Sequence, residues 1–391
     1  MKRGDVETIR QAGLITVEQE TRIIEHFKLA EESSRFLTVV SIIGAVLVAC
    51  GITLLIAANW EQIPRALKIG AGLLLMLGAH GFGWFLRERK GYPKTGEALH
   101  LGGSGLFLAN IALIGQIYNI STRPPNALLL WWVGIAALPW LLRSKAQLVL
   151  VLLAFGFWFG METNQEGSPI FFGNDESQII LYASLGLAFL GGGYCLRRTS
   201  YSDFASATEK LGLLGFLSFF FPLTCSELYR HDDASAQISP WILPALLVLS
   251  GVLLIGGLTG LRSLNGRWRL AWGLGLLAML GLMAGAFYLG AEPRFIHGRE
   301  EPSYHWLCAV ALFAFCLLQI QIGLQERSPF LVNFAMAFLT VDIIAVYINL
   351  FGSMTRTGLV FVGGGVFLLV FGIFLEKKRR ALMRQIKEVP V

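Results

Sequence analysis

Long apolar blocks, each about 17 to 23 residues and set apart by short polar loops, run through almost the whole chain. A helix rises about 1.5 Å per residue, so a block of this length crosses a hydrocarbon core of about 30 Å. Strands of a membrane barrel would instead read as short alternating runs. Lipid offers no hydrogen bonds, and a helix satisfies its own backbone within one segment. The pattern therefore predicts an all-α, polytopic transmembrane helix bundle. Hydrophobic residues make up 54% of the 391 and charged residues only 15%, outside the balance of soluble domains.

The blocks place roughly twelve spans, near 36–58, 66–86, 98–118, 126–142, 146–161, 178–196, 211–228, 240–261, 269–290, 304–323, 330–351 and 357–375. The fourth and fifth are short, and a re-entrant pair is the alternative reading there. The chain divides into a cytoplasmic amphipathic helical module at 1–35, an N-terminal membrane region at 36–145, a second membrane region at 146–375 and a basic tail at 376–391. Residues 1–35 are polar and charged and carry no cleavable signal, so the first span is expected to direct insertion.

Lys and Arg accumulate in short cytoplasmic loops, which tests the parsing. With both termini cytoplasmic, all but seven of the 32 basic residues fall inside; Arg65, Lys68, Arg123, Arg230, Arg294, Arg299 and Arg356 remain outside. The inner loops include RERKGYPK at 87–94 and RSK at 143–145. The segment from Glu162 to Glu176 carries acids and no base, as an outer loop can. Trp60, in AANWEQIPRALKI, falls at the headgroup level, with Pro64 opening the next helix.

The first 35 residues contain GLITVEQETRIIEHF, in which Thr16 and Gln19 have capping-box spacing and Ile23, Ile24 and Phe27 recur at helical period. The apolar stripe can dock on the bundle, lie among headgroups or bind a protein partner, and docking is favoured. The bilayer is the main partner, with anionic lipid expected at the basic cytoplasmic loops. The net charge of +6 is spread over loops and tails and forms no single stripe, so nucleic acid is not an expected partner.

Cys50, Cys195, Cys225, Cys308 and Cys316 form no CxxC pair and no His/Cys cluster, so they read as apolar filling, with no metal expected. The 44 glycines concentrate in the spans, where small residues let helices approach closely. None sits in a phosphate-cradling GxGxxG or Walker context, and no cofactor is expected. No HExxH helix or GxSxG elbow occurs, and no catalytic residue is assigned.

Within the third span, Glu97, His100 and Ser104 share an arc of about 60° at roughly 100° per residue, with Asn110 about 80° further round. Gln116 points nearly opposite His100 and is expected at another interface. His80 lies in the second span among Gly78, Gly81 and Gly83. Polar groups inside a bilayer face the bundle interior, either as interhelical hydrogen bonds or as parts of a binding site or pathway. Asp342, in LTVDIIAVYINL, is the sharpest single residue, because a lone carboxylate in mid-span is costly to ionise. Ala335, Phe338, Ala345 and Asn349 share its helical face. The candidate substrate or ion ligands are Asp342, His100, Asn110, His80 and Asn349.

GLITVEQ at 13–19, AANWEQIPRALKI at 57–69 and GGSGLFLANIALIGQIYNIS at 102–121 resemble the bacterial membrane-protein family known as domain of unknown function 2157. The resemblance covers about the first 145 residues. It implies a multi-pass protein of the bacterial inner (plasma) membrane with a short cytoplasmic helix module, and it implies no activity. Members often carry histidine where this chain has Asn119, so the resemblance implies no proton or metal role at the outer end of this helix.

Two functions follow from these observations. A transporter or small-molecule permease accounts for the closely packed spans and inward polar groups, although no half-to-half repeat is visible. A non-catalytic sensor, scaffold or assembly factor accounts for the N-terminal module and basic tail.

Overall fold

The computed structural model describes residues 10, 12–26, 60–121, 123–171, 175–225, 241–261, 263–289 and 304–351, with scattered positions between 365 and 380. The chain divides into two units, Met1–Ala71 and Gly72–Val391.

In the first unit, α1 spans Val17–His26. It begins with the predicted capping box: Thr16 N donates to Gln19 Oε1 (2.9 Å) and Gln19 N to Thr16 Oγ1 (3.3 Å). Arg10 pairs with Glu20 at 2.7 Å, adding a second tie across the helix start. A 3-10 turn at Trp60–Gln62 leads into α2, Arg65–Trp84, whose part from Gly72 onward belongs to the second unit, and Lys68 Nζ sits 4.3 Å above the Trp60 ring.

The second unit continues through α3 (Pro93–Ile117), α4 (Pro124–Ile135), α5 (Leu138–Leu142), α6 (Lys145–Thr163), α7 (Asp175–Leu196), α8 (Ser202–Phe220), α9 (Ile242–Leu258), α10 (Gly266–Leu289), α11 (Tyr304–Gln325) and α12 (Pro329–Phe351). Nine helical segments among the described residues are long and apolar enough to cross a membrane, and α9 is a shorter apolar helix of 17 residues. The expected spans at 36–58 and 357–375 lie outside the continuously described residues, so the structure supports a multi-span bundle without fixing twelve.

Several boundaries differ from the sequence reading, each for a local reason. The helix expected at 211–228 begins at Ser202 and closes with a 3-10 turn at Phe221–Thr224. Its charged start is accommodated because Glu209 is paired with Arg197. α2 runs on into a π-helical turn at Phe85–Arg89, and Gly91, at φ 69°, breaks the chain before Pro93 opens α3. The fourth span is interrupted between Ile135 and Leu138, where Pro139 in the first turn of α5 cannot continue the hydrogen-bond ladder of α4. Ser144 caps α6, accepting from Gln147 N at 3.2 Å, which contributes about 1 kcal/mol.

Lipid tails are as apolar as leucine, so close backbone approach and interhelical hydrogen bonds hold such a bundle together. α7 packs on α8 and α9 through glycine. A Cβ at Gly186 would lie 2.3 Å from Phe216 N, at Gly212 2.4 Å from Leu190 N, and at Gly191 2.7 Å from Leu254 N. Around this seam a core including Leu213, Phe216, Trp272, Leu276 and Phe315 gathers α7 to α12, while a smaller cluster of Trp131, Ile135, Val151 and Ala154 joins α4 and α6. Cys308 and Cys316 are fully buried in the larger core. Large apolar side chains such as Leu141, Val248 and Val310 are exposed on the helices, a surface suited to hydrocarbon.

Contacts between loops sort the helix ends of the second unit. Ser144 donates to Glu97, Arg197 reaches both Glu209 and Glu326, Arg198 donates to Thr259, and the Trp140 and Phe204 rings meet at 6.3 Å. Loops predicted to share the basic side therefore do meet. Arg123 and Glu162, both assigned by sequence to the opposite side, pair with each other at 2.7 Å.

Candidate functional site

α2 and α3 are antiparallel neighbours along a seam of small residues. A Cβ at Gly96 would lie 2.6 Å from the Gly83 carbonyl oxygen, and one at Gly103 would lie 2.7 Å from His80 Nε2. Only glycine leaves space for this approach. The seam seats the polar residues of both helices face to face.

His80 Nδ1 lies 3.1 Å from His100 Nδ1, with ring centroids 5.4 Å apart. His100 is 3% exposed and its Nε2 has no hydrogen-bond partner among the described residues. One turn on, the buried Ser104 hydroxyl lies 3.0 Å from His100 O and 3.1 Å from Gln147 Oε1, so its single hydrogen is shared between two acceptors. Trp131 Nε1 donates to Ser104 O at 2.8 Å. The polar arc read from sequence is thus a junction of α2, α3, α4 and α6, and Glu97 extends it to Ser144 at the helix ends.

Asn110 does something different. Its Nδ2 donates to Leu106 O (2.8 Å) and to Gly72 O on α2 (3.1 Å), which makes it an interhelical clasp. Gln116, on the other side of α3, is exposed.

Asp342 faces inward from α12 and is 1% exposed, among Ala335, Leu339 and Ala345. Its Oδ1 has no hydrogen-bond partner among the described residues. The turn Phe221–Thr224 packs against α11 and α12. Among the described residues no hydrogen bond or ion pair joins Asp342 to the His80–His100 junction. The candidate ligands therefore belong to separate places. The backbone of Asn349 falls in α12, and its side chain lies outside those described.

Sequence reasoning missed a third polar group. Arg197 binds Glu209 with two hydrogen bonds, Nε to Oε1 at 2.5 Å and Nη2 to Oε2 at 2.6 Å, and reaches Glu326 at 3.5 Å. Ser263 donates to Glu326 as well. Burial opposes the charge of Arg197, but the bond to Glu209 and the field of both glutamates outweigh it and raise its pKa. Behind them Trp272 Nε1 donates to Tyr194 OH at 2.9 Å. The group borders a cavity of about 220 Å³ and ties the ends of α7, α8 and α11 together. Its sequence signal was weak, because Glu209 stands beside Lys210 in the polar stretch before Leu211 and reads as part of a loop.

Among the described residues no three His, Cys, Asp or Glu side chains gather as metal ligands. A second cavity, about 310 Å³, opens beside the histidine pair and is lined by Trp84, Arg87, Glu88, His100 and the stretch Trp140–Arg143.

No curated protein and no solved structure matches the chain. Residues 7–148, which hold the α2–α3 seam, the histidine pair and the second cavity, match the model of a family described as predicted membrane protein (DUF2157).

Proposed function

We propose that this chain is a permease that carries or handles a small solute in the bacterial inner membrane, its basic helix ends facing the cytoplasm. The observation that supports this reading best is Asp342, a carboxyl 1% exposed in a candidate membrane span with Oδ1 unpartnered. Among the described residues no cation pairs with it, and an intramembrane acid in that position is a candidate for proton coupling or solute contact. No catalytic role is assigned to it, since a lone carboxyl lacks the second acid or base that hydrolysis requires.

Cysteine accessibility tests the reading. With the native cysteines replaced, Asp342→Cys is expected to react with a small membrane-impermeant thiol reagent added from one side. A folded, inserted protein that resists labelling from both sides overturns the permease reading. The capped helix α1 would then favour the second function, a non-catalytic sensor or scaffold that engages a partner through residues 1–35.

A further inference from the structure

We propose that the cavity between the α2 and α5 ends is a binding site for a phosphate group, carried by a lipid headgroup or by a soluble phosphate ester. This inference stands apart from Asp342 and from the permease reading.

Its walls come from two loops distant in sequence. The π-helical turn after α2 supplies Arg87 and Glu88, and the end of α5 supplies Trp140 and Arg143. Arg87 is 3.4 Å from Glu88, at the rim, while Arg143 has no ion-pair partner among the described residues. Arg87 and Arg143 line the cavity with the single carboxylate of Glu88, while Glu97 is held by Ser144 outside the lining, and guanidinium forks match phosphate oxygens in geometry as well as charge. Arg89 and Lys90, which follow in the same turn as Arg87, add to the field. At about 310 Å³ the space takes a phosphate and the atoms bonded to it.

His100 gives the site its polar floor. It lines the cavity, and its Nε2 is buried without a partner although such atoms are nearly always bonded. Nδ1 of the same ring is engaged with His80. If His80 donates across that contact, His100 accepts at Nδ1 and carries its proton on Nε2, ready to donate to an oxygen anion in the cavity. Trp84 and Trp140, exposed at the mouth, have the amphipathic character of residues at the membrane–water boundary. The arrangement fits an anion approaching from the headgroup layer or from the adjoining water.

Arg143 offers a clean variant. Its φ of 45° is left-handed, a conformation natural to glycine, so Arg143→Gly removes the guanidinium without opposing the backbone. The experiment uses the full-length chain in neutral detergent and reads its unfolding temperature in two titrations. One compares inorganic phosphate with chloride at matched ionic strength. The other compares phosphatidylglycerol micelles with a neutral glycolipid. A rise with inorganic phosphate assigns a soluble phosphate, a rise with phosphatidylglycerol alone assigns a headgroup, and either supports the site. Arg143→Gly is expected to shift the titration midpoint about tenfold or more to higher concentration. Lys145→Gln, at the same helix ends but outside the cavity, is expected to leave it unchanged. The proposal is overturned if neither ligand stabilises the native chain, if Arg143→Gly responds like it, or if Lys145→Gln weakens binding equally.

Discussion

His80 and His100 face each other through the same ring atom, Nδ1 to Nδ1 at 3.1 Å. A hydrogen bond there needs one donor and one acceptor, so the two rings are in different protonation patterns. Nitrogen NMR of histidine-labelled protein should show one ring of the pair protonated at Nδ1 and the other bare there, with assignment from the His80→Ala spectrum. That substitution leaves the buried His100 Nδ1 unpaired and should cost about 1–3 kcal/mol in detergent unfolding. Two identical tautomers would contradict the geometry.

The α2–α3 seam predicts a contrast between glycines on opposite faces of one helix. Gly96→Ala places a Cβ 2.6 Å from a carbonyl oxygen and 2.8 Å from Arg87 Cβ, and should destabilise by about 1–3 kcal/mol. Gly102→Ala meets nothing within 4 Å and should be neutral or slightly favourable. Equal melting temperatures for the two variants would mean the helices are not in this register.

Asn110 reads as structural. Asn110→Leu should lower stability by on the order of 1 kcal/mol, the usual worth of an interhelical hydrogen bond in a membrane, and leave any solute flux unchanged. Loss of flux at full stability would move Asn110 from the packing to the transport path.

The pair Arg197 and Glu209 should behave as a partly buried ion pair. Glu209→Gln removes the paired charge and one of the two acceptors, leaving Glu326 at 3.5 Å as the remaining carboxylate, and should cost about 2 kcal/mol, less than a fully buried pair because Arg197 retains some exposure. Replacing both by apolar residues should recover part of that loss, and a double-mutant cycle measures the coupling.

Glu88 is the one acid among the described residues that line the phosphate cavity. Glu88→Gln frees Arg87 and removes a like charge, so phosphate or phosphatidylglycerol should bind several-fold more tightly. Weaker binding in the same titration would place Glu88 among the groups that hold the ligand.

Much of the helical layout was legible because its signals are local. Hydropathy located ten described helices, Thr16 and Gln19 announced the capping box, and the alternation of Lys and Arg identified loops that do meet. Two of the boundaries that moved did so at charged positions. Glu209 looked like a loop residue because its partner lies 12 residues away, and the length of the turn after α2 depends on hydrogen bonds that periodicity does not express. The candidate site was legible in composition and less so in grouping. His100 and Ser104 shared an arc, but nothing in the chain showed that His80 would close it, that Asn110 would bind a backbone carbonyl, or that Asp342 would sit elsewhere.

By itself the sequence determined the helical class, the membrane setting and which side chains are too polar to face lipid, since transfer free energy and helical period act within single segments. Tertiary structure alone decided which of those side chains meet. Glycines at 83, 96 and 103 act only when two helices approach, and Arg87, Arg143 and His100 become one cavity only when α2, α3 and α5 end together. Contact between residues distant in sequence depends on helix register and crossing, which neither length nor hydrophobicity encodes.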